Sequence, residues 1–315
     1  MISRLVLALL LLLVAAAAPA RAADRLTVLL DWFVNPDHGP LVIAREKGFF
    51  RDAGLEVELV APADPNDPPK LVAAGKADIA IGYQPQLHLQ VHEGLPLVRF
   101  GTLVATPLNS LVFLRDGSVR TLSDLKGKRV GFSVGGFEEA LLGAMLERAG
   151  LRLSDVRLVN VNFALSASLL SGQVDAVIGA FRNFELAQLA LEGRPGRAFF
   201  PEEEGVPPYD ELIYLAHRDR LDRPALVRFL EAVERATFWI LNRPEEAWTI
   251  FSGTAKELQD ELNRRAWALT LPRFAHAPAA LDTNRYARFA AFLHARGLIG
   301  PPAPVSAYAV QLAAR

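Results

Sequence analysis

The sequence predicts an α/β chain of two βαβ-type lobes around a hinged cleft, with a helical tail packed on the first lobe. Three observations lead there. A strand–helix motif recurs 97 positions along the chain, short apolar runs end in turns carrying polar and aromatic side chains, and everything after Ala216 has helical spacing.

The 315 residues and 51% hydrophobic content supply two cores. A net charge of −1 gives no field for nucleic acid or acidic membranes. The absence of cysteine removes disulfides, thiolate metal sites, a Cys nucleophile and a lipoprotein anchor together. Residues 1–22 read as a signal peptide: Arg4 as n-region, Leu5 to Ala18 as h-region, and Ala20-Arg21-Ala22 as a small-x-small site. Cleavage is expected between Ala22 and Ala23. The apolar run, at about 14 residues, is short of the ~20 that span a bilayer, so a soluble protein exported to the periplasm is expected.

The first element is a buried strand at Leu26 to Leu30, β-leaning and apolar but for Thr27. It delivers Asp31, Trp32, Asn35 and His38 into a turn marked by Asn35-Pro36-Asp37, before a helix at Leu41 to Lys47. These side chains stand at the carboxyl end of a strand, where open α/β sheets bind ligands. The indole offers a stacking face, and the carboxylate and amide offer in-plane hydrogen bonds, which suits a planar polar heterocycle. The same residues also suit a core Trp, a helix-capping Asp and a surface His.

The repeat comes next. Gly75, Asp78 and Gly82 of LVAAGKADIAIG match Gly172, Asp175 and Gly179 of LLSGQVDAVIG, all 97 apart, and Ala53-Gly54-Leu55 matches Ala149-Gly150-Leu151. Two right-handed, mostly parallel βαβαβ units account for this. The first lobe is expected at 23–106 and the second at 107–214. Thr106 to Ser110 is the crossing, Leu111 to Leu114 and Arg129 to Ser133 are strands, and Phe137 to Ala149 is a helix. A strand at Glu211 to Ala216 precedes helices at Leu226–Asn242, Pro244–Phe251, Ala255–Leu269 and Asn284–Arg296. Residues 215–315 are expected back on the first lobe. Two crossings make a hinge.

The cleft then receives Tyr83 and Gln84 from the first lobe. The second lobe adds Ser133, Gly135, Gly136 and Phe137 after one strand, and Arg182, Asn183, Phe184 and Glu185 after another. Trp32 and Tyr83 can clamp a ring, and Glu185 can accept from an exocyclic amine. The amides of Val134 to Phe137 can hold an oxygen at a helix start, although Gly-Gly there also suits a plain turn, and Glu138 and Glu139 argue against a strongly anionic ligand. Arg182 and Glu185 also suit an i,i+3 surface pair. His88 and His92 have i,i+4 spacing but no third ligand, so an ordinary helix face and no metal are expected. Pro201 to Gly205, PEEEG, reads as a solvated acidic loop. No His-Glu-x-x-His or P-loop is present, and no basic nucleic-acid surface.

Together, Leu30-Asp31-Trp32, Asn35 to His38, AREKGFF at Ala44 to Phe50, Leu71 to Gly82, LKGKRVG at Leu125 to Gly131 and Arg182 to Glu185 resemble a known family. They are similar to the bacterial periplasmic pyrimidine-binding proteins of thiamine precursor salvage, related to yeast-type pyrimidine synthases and to sulfonate, taurine and nitrate binders. The resemblance covers about Leu26 to Leu221. It implies a type II periplasmic binding fold that closes on N-formyl-aminomethyl- or hydroxymethyl-aminopyrimidine and feeds an ABC permease. It also implies that Trp32 and Tyr83 stack on the ring and that Glu185 reads its amino edge.

The synthases consume their own His and a pyridoxal phosphate held by Lys. Aligned with them, this chain has Gln84 at the Lys and His88 at the His, and Val206 to Glu211 where their Cys-rich motif falls. A non-enzymatic, cofactor-free monomer is the expectation. Alternatives are a binder of another small solute (a sulfonate, taurine, nitrate or riboflavin) and a stand-alone sensor.

Overall fold

The computed structural model describes residues 22–312. The expected leader, except its last residue, lies outside them. Ten strands are described: β1 (Asp24–Leu29), β2 (Leu55–Val60), β3 (Ile79–Gly82), β4 (Leu97–Val104), β5 (Asn109–Leu114), β6 (Arg129–Phe132), β7 (Arg157–Asn160), β8 (Ala176–Phe181), β9 (Gly196–Phe199) and β10 (Leu212–His217). Between and after them lie α1 (Gly39–Glu46), α2 (Phe49–Asp52), α3 (Pro68–Ala73), α4 (Gln84–His92), α5 (Phe137–Arg148), α6 (Leu165–Leu170), α7 (Glu185–Leu191), α8 (Pro224–Asn242), α9 (Pro244–Ser252), α10 (Glu261–Thr270) and α11 (Thr283–Ala295).

The strands form two five-stranded sheets, ordered β2-β1-β3-β10-β4 and β7-β6-β8-β5-β9. In each, four strands run in one direction and one from a crossing segment inserts antiparallel among them: β10 between β3 and β4, and β5 between β8 and β9. The sheets are mostly parallel in direction, as expected, but mixed through that one inserted strand. β10 starts before residue 214, the expected end of the second lobe, and lies wholly in the first sheet.

The repeat is structural. Asp78 Oδ2 accepts from the Thr27 amide at 2.9 Å, and Asp175 Oδ2 accepts from the Arg129 amide at 2.9 Å, so each Asp pins the first strand of its sheet. Gly75 and Gly172 end their helices at φ 71° and 72°, the left-handed stop that Gly provides without a Cβ clash.

Both faces of the first sheet are buried. Leu26, Val28 and Leu30 pack with Leu41 and Ile43 of α1, while Leu29 and Ala80 pack with Val72, Leu87 and Leu215 on the other side. That explains why apolar side chains at Val28, Leu29 and Leu30 face both ways from the end of β1. The tail packs on this sheet as expected: α8 lies along α1 and α2, and Arg228 pairs with Asp24. The helix expected at 255–269 is divided, because Asp260 caps α10 by accepting from the Asn263 amide at 2.7 Å. Helix α10 also touches α7 of the second sheet, a contact no sequence pattern announced.

Candidate functional site

The carboxyl ends of β1, β3 and β8 and the start of α5 meet at one cavity. Asp31 is its anchor. The Asn35 amide donates to His38 Nδ1 at 3.2 Å, which leaves Nε2 to carry the proton and donate to Asp31 Oδ1 at 2.9 Å. Tyr83 Oη donates to the other oxygen at 3.0 Å. Both oxygens of this buried carboxylate are thus oriented before any ligand arrives. Asn35 Oδ1 caps the turn by accepting from the Asp37 amide at 2.8 Å. Asn-Pro-Asp-His is one local device that aims Asp31 and Asp37 together.

Three more carboxyl groups face the space. Asp37 Oδ1 accepts from Asn183 Nδ2 at 2.7 Å and from Thr270 Oγ1 at 3.1 Å, which ties the first sheet to the second and to α10. Burial pushes Asp37 up to about 6, against the pull of His38 and Asn183. Glu185 accepts from the Phe181 amide at 2.6 Å, and burial pushes it up to about 8. Glu138 accepts from the Ser133 amide at 2.8 Å, and burial raises it well above the usual carboxylate range. Its head lies against Gly179, where an added Cβ would stand 2.4 Å from Oε1.

Aromatic rings complete the walls: Trp32, Tyr83, Phe137, Phe181 and Phe184. Among the described residues no Lys or Arg lines the cavity. The arrangement accepts a flat molecule that donates hydrogen bonds and offers no counter-charge to an anion.

Seven of the expected residues line the cavity: Asp31, Trp32, Asn35, Tyr83, Phe137, Phe184 and Glu185. The others sit around it. His38 is fully buried behind Asp31. Asn183 bonds Asp37 and Thr270, as described. Gln84 accepts from the Asp210 amide at 2.8 Å and faces His88 at 3.3 Å, locking the entry to β10. The amides of Gly135 and Gly136, expected to hold a ligand oxygen, are taken by Asn66 Oδ1 and Glu139 Oε2.

Arg182 does not pair with Glu185. It forms a bidentate pair with Glu202 at 2.6 and 2.9 Å and lies 4.0 Å over Phe200. The acidic loop is therefore not simply solvated: Glu202 holds Arg182, and Glu204 holds Arg148. Tyr83 stacks on Phe137, with centroids 4.8 Å apart, so one face of the expected Trp32–Tyr83 clamp is filled from the second sheet.

Sequence reasoning missed Asp37, Glu138, Gly179, Phe181 and Leu165 as wall residues. Asp37 and Gly179 stood inside motifs already singled out. Glu138 looked like a partner for the helix dipole, and Leu165 carries no signal in its neighbourhood.

Fold and cavity define a solute-binding protein architecture. The chain superposes on the alkanesulfonate-binding protein SsuA of Xanthomonas axonopodis pv. citri with a TM-score of 0.71 at 18% identity, covering 93% of this chain and 99% of that one. The chain belongs to the NMT1/THI5-like family, whose model matches residues 35–247. It is 52% identical over 295 residues to a Haemophilus influenzae protein named for thiamine biosynthesis, covering 93% of this chain and 94% of that one. It is 35% identical over 249 residues to the formylaminopyrimidine-binding protein of Halalkalibacterium halodurans, covering 78% and 74%. A 4-amino-5-hydroxymethyl-2-methylpyrimidine phosphate synthase of Legionella pneumophila matches at 26% over 267 residues, covering 83% of each chain. The type II binding fold and the family resemblance read from the motifs both hold.

Proposed function

We propose that this chain captures a thiamine-precursor aminopyrimidine, N-formyl-aminomethyl or hydroxymethyl, and delivers it to an ABC permease. The observation that carries the reading is a cavity walled by four carboxyl side chains and aromatic rings, with no basic side chain among the described residues. A neutral or cationic aminopyrimidine has the donors and the flat face such walls accept. Aliphatic sulfonates and taurine have no flat face, nitrate has no donor, and the anionic group of each would meet four acids. The name of the 35% identical relative agrees with this ligand class.

The expected residues take the following roles. Trp32 stacks on the ring and Glu185 reads its amino edge, with Asp31, Asn35 and Tyr83 as further partners and Phe137 behind Tyr83. Residues 23–106 and 212–315 form one lobe and 107–211 the other, which moves the return crossing from the expected 214 to just ahead of β10. Export to the periplasm, a monomeric state and handover to an inner-membrane permease belong to the same reading. Among the described residues no helix is long and apolar enough to cross a membrane.

A binder is favoured over a synthase by the two positions that chemistry would need. Gln84 stands where the Schiff-base Lys would be, and it is buried and bonded to the chain's own backbone. His88 stacks on Phe289 at 5.5 Å, outside the cavity wall, and burial pushes it down to about 3.

The test is calorimetry and thermal shift on residues 23–315 with formylaminopyrimidine, hydroxymethylpyrimidine, thiamine, riboflavin, taurine and nitrate. A ligand at 100 times its Kd adds about 2.7 kcal/mol of stability. The pyrimidines alone should bind, and Trp32→Ala should abolish that binding with the ligand-free melting temperature nearly unchanged. Binding of taurine or nitrate in their place refutes the ligand, and an unchanged Kd in the variant refutes the role of Trp32.

A further inference from the structure

Phe163 stands outside the cavity wall, on the turn that follows β7 of the second sheet. Its ring lies 4.5 Å from Trp32, edge-on at 71°, and 4.5 Å from Phe33 at 39°. Trp32 and Phe33 follow β1 of the first sheet, so the three rings join the two sheets at the edge of the cavity. Phe33 is 53% exposed, which places this cluster at the surface rather than in a core.

The turn that presents Phe163 is built for the purpose. Asn162 is the one described residue other than glycine with positive φ, at 49°, a conformation Asn tolerates better than most side chains. Its amide donates to Asn160 Oδ1 at 2.9 Å, and its carbonyl accepts from Ser133 Oγ. Ser133 in turn donates its amide to Glu138 at 2.8 Å, so the turn is fixed to a carboxyl group of the cavity. Two further bonds support closure on the neighbouring edge: Asn66 Nδ2 to the Ser133 carbonyl at 3.3 Å, and the Gly135 amide to Asn66 Oδ1 at 3.0 Å.

We propose that Phe163 is a positioning residue that closes the cleft on its ligand. Edge-on packing holds the Trp32 indole in the orientation the cavity requires, and the Phe33–Phe163 contact must break before the sheets part. Phe163 therefore sets how long a bound molecule stays rather than how fast it arrives. This rests on the proposed aminopyrimidine reading for its ligand, but not for the closure itself.

Two measurements test it. In stopped-flow binding of formylaminopyrimidine, Phe163→Ala should raise the dissociation rate about tenfold, equivalent to about 1.4 kcal/mol, and change the association rate less than threefold. Phe163→Tyr should return the dissociation rate to within about twofold of wild type, since the ring is restored. Phe163→Leu, which keeps bulk without the ring, should stay fast. Dissociation rates alike in all four proteins overturn the proposal, as does a Leu variant that matches wild type.

In small-angle scattering of ligand-free protein, Phe163→Ala should enlarge the radius of gyration as the cleft opens, and Phe163→Tyr should reverse this. An unchanged radius overturns the closure role whatever the ligand proves to be. Absence of pyrimidine binding by the wild type would instead refute the proposed function, and scattering would still decide the role of Phe163.

Discussion

Glu185→Gln separates a buried acid from an ordinary surface carboxylate. Glu185 is 7% exposed, starts α7, and accepts from the Phe181 amide, while burial holds it at about 8 against 4.5 for a free side chain. The folded value lies above the unfolded one, so the folded protein binds the extra proton. Stability is full below about pH 4.5 and falls as pH rises towards 8. A carboxyl group with those two values costs roughly 3–4 kcal/mol between pH 5 and pH 8.

Gln keeps an acceptor for the Phe181 amide but carries no titrating proton. Urea unfolding of ligand-free protein at half-unit pH intervals should show wild type losing that stability over pH 5–8. The variant's curve should be flatter by about the same amount, with equal m-values. Asp37, Glu211 and Glu138, also raised by burial, leave a common slope in both proteins that the comparison cancels. Parallel curves would refute the assignment of Glu185 as a buried neutral acid at pH 7, and with it the electrostatic description of the cavity.

Gly179→Ala should lower stability by roughly 2–5 kcal/mol, because φ is 96° and the new Cβ would meet Glu138 at 2.4 Å. Gly143→Ala, in α5 with nothing within 4 Å, should be neutral or stabilising by about 0.4–1 kcal/mol in the same urea assay. Asn183→Ala removes the donor that joins Asp37 to the second sheet, and should cost about 1–3 kcal/mol at pH 7. The loss should shrink at pH 4.5, where Asp37 is protonated and its charge-assisted bond is already weakened; an equal loss at both pH values would sink that account.

Local chemistry made much of this protein legible. The apolar run of β1 announced a strand buried on both faces, and Gly75 with Gly172 announced helix stops at the same place in two units. The matched Asp78 and Asp175 turned out to do one job twice. Trp32, Tyr83 and Glu185 could be named because a strand end followed by polar and aromatic residues has few other uses. The Lys-to-Gln difference at position 84 spoke about chemistry without coordinates.

Contacts between residues far apart in sequence were decided only by the fold. Nothing near Arg182 indicates that Glu202 holds it, so an i,i+3 partner was the natural expectation. Thr270 reaches Asp37 across 233 positions, and no periodicity encodes that. Glu138 reads as a solvated helix-start acid until Gly179 of another strand is laid against it and water is excluded. The sequence by itself determined the elements, the repeat and the candidate ring-binding side chains, because these depend on neighbours within a few residues. Only tertiary structure decided which carboxyl groups lose water, which amides are already taken and which rings meet across the cleft, because burial and pairing belong to the assembled sheets.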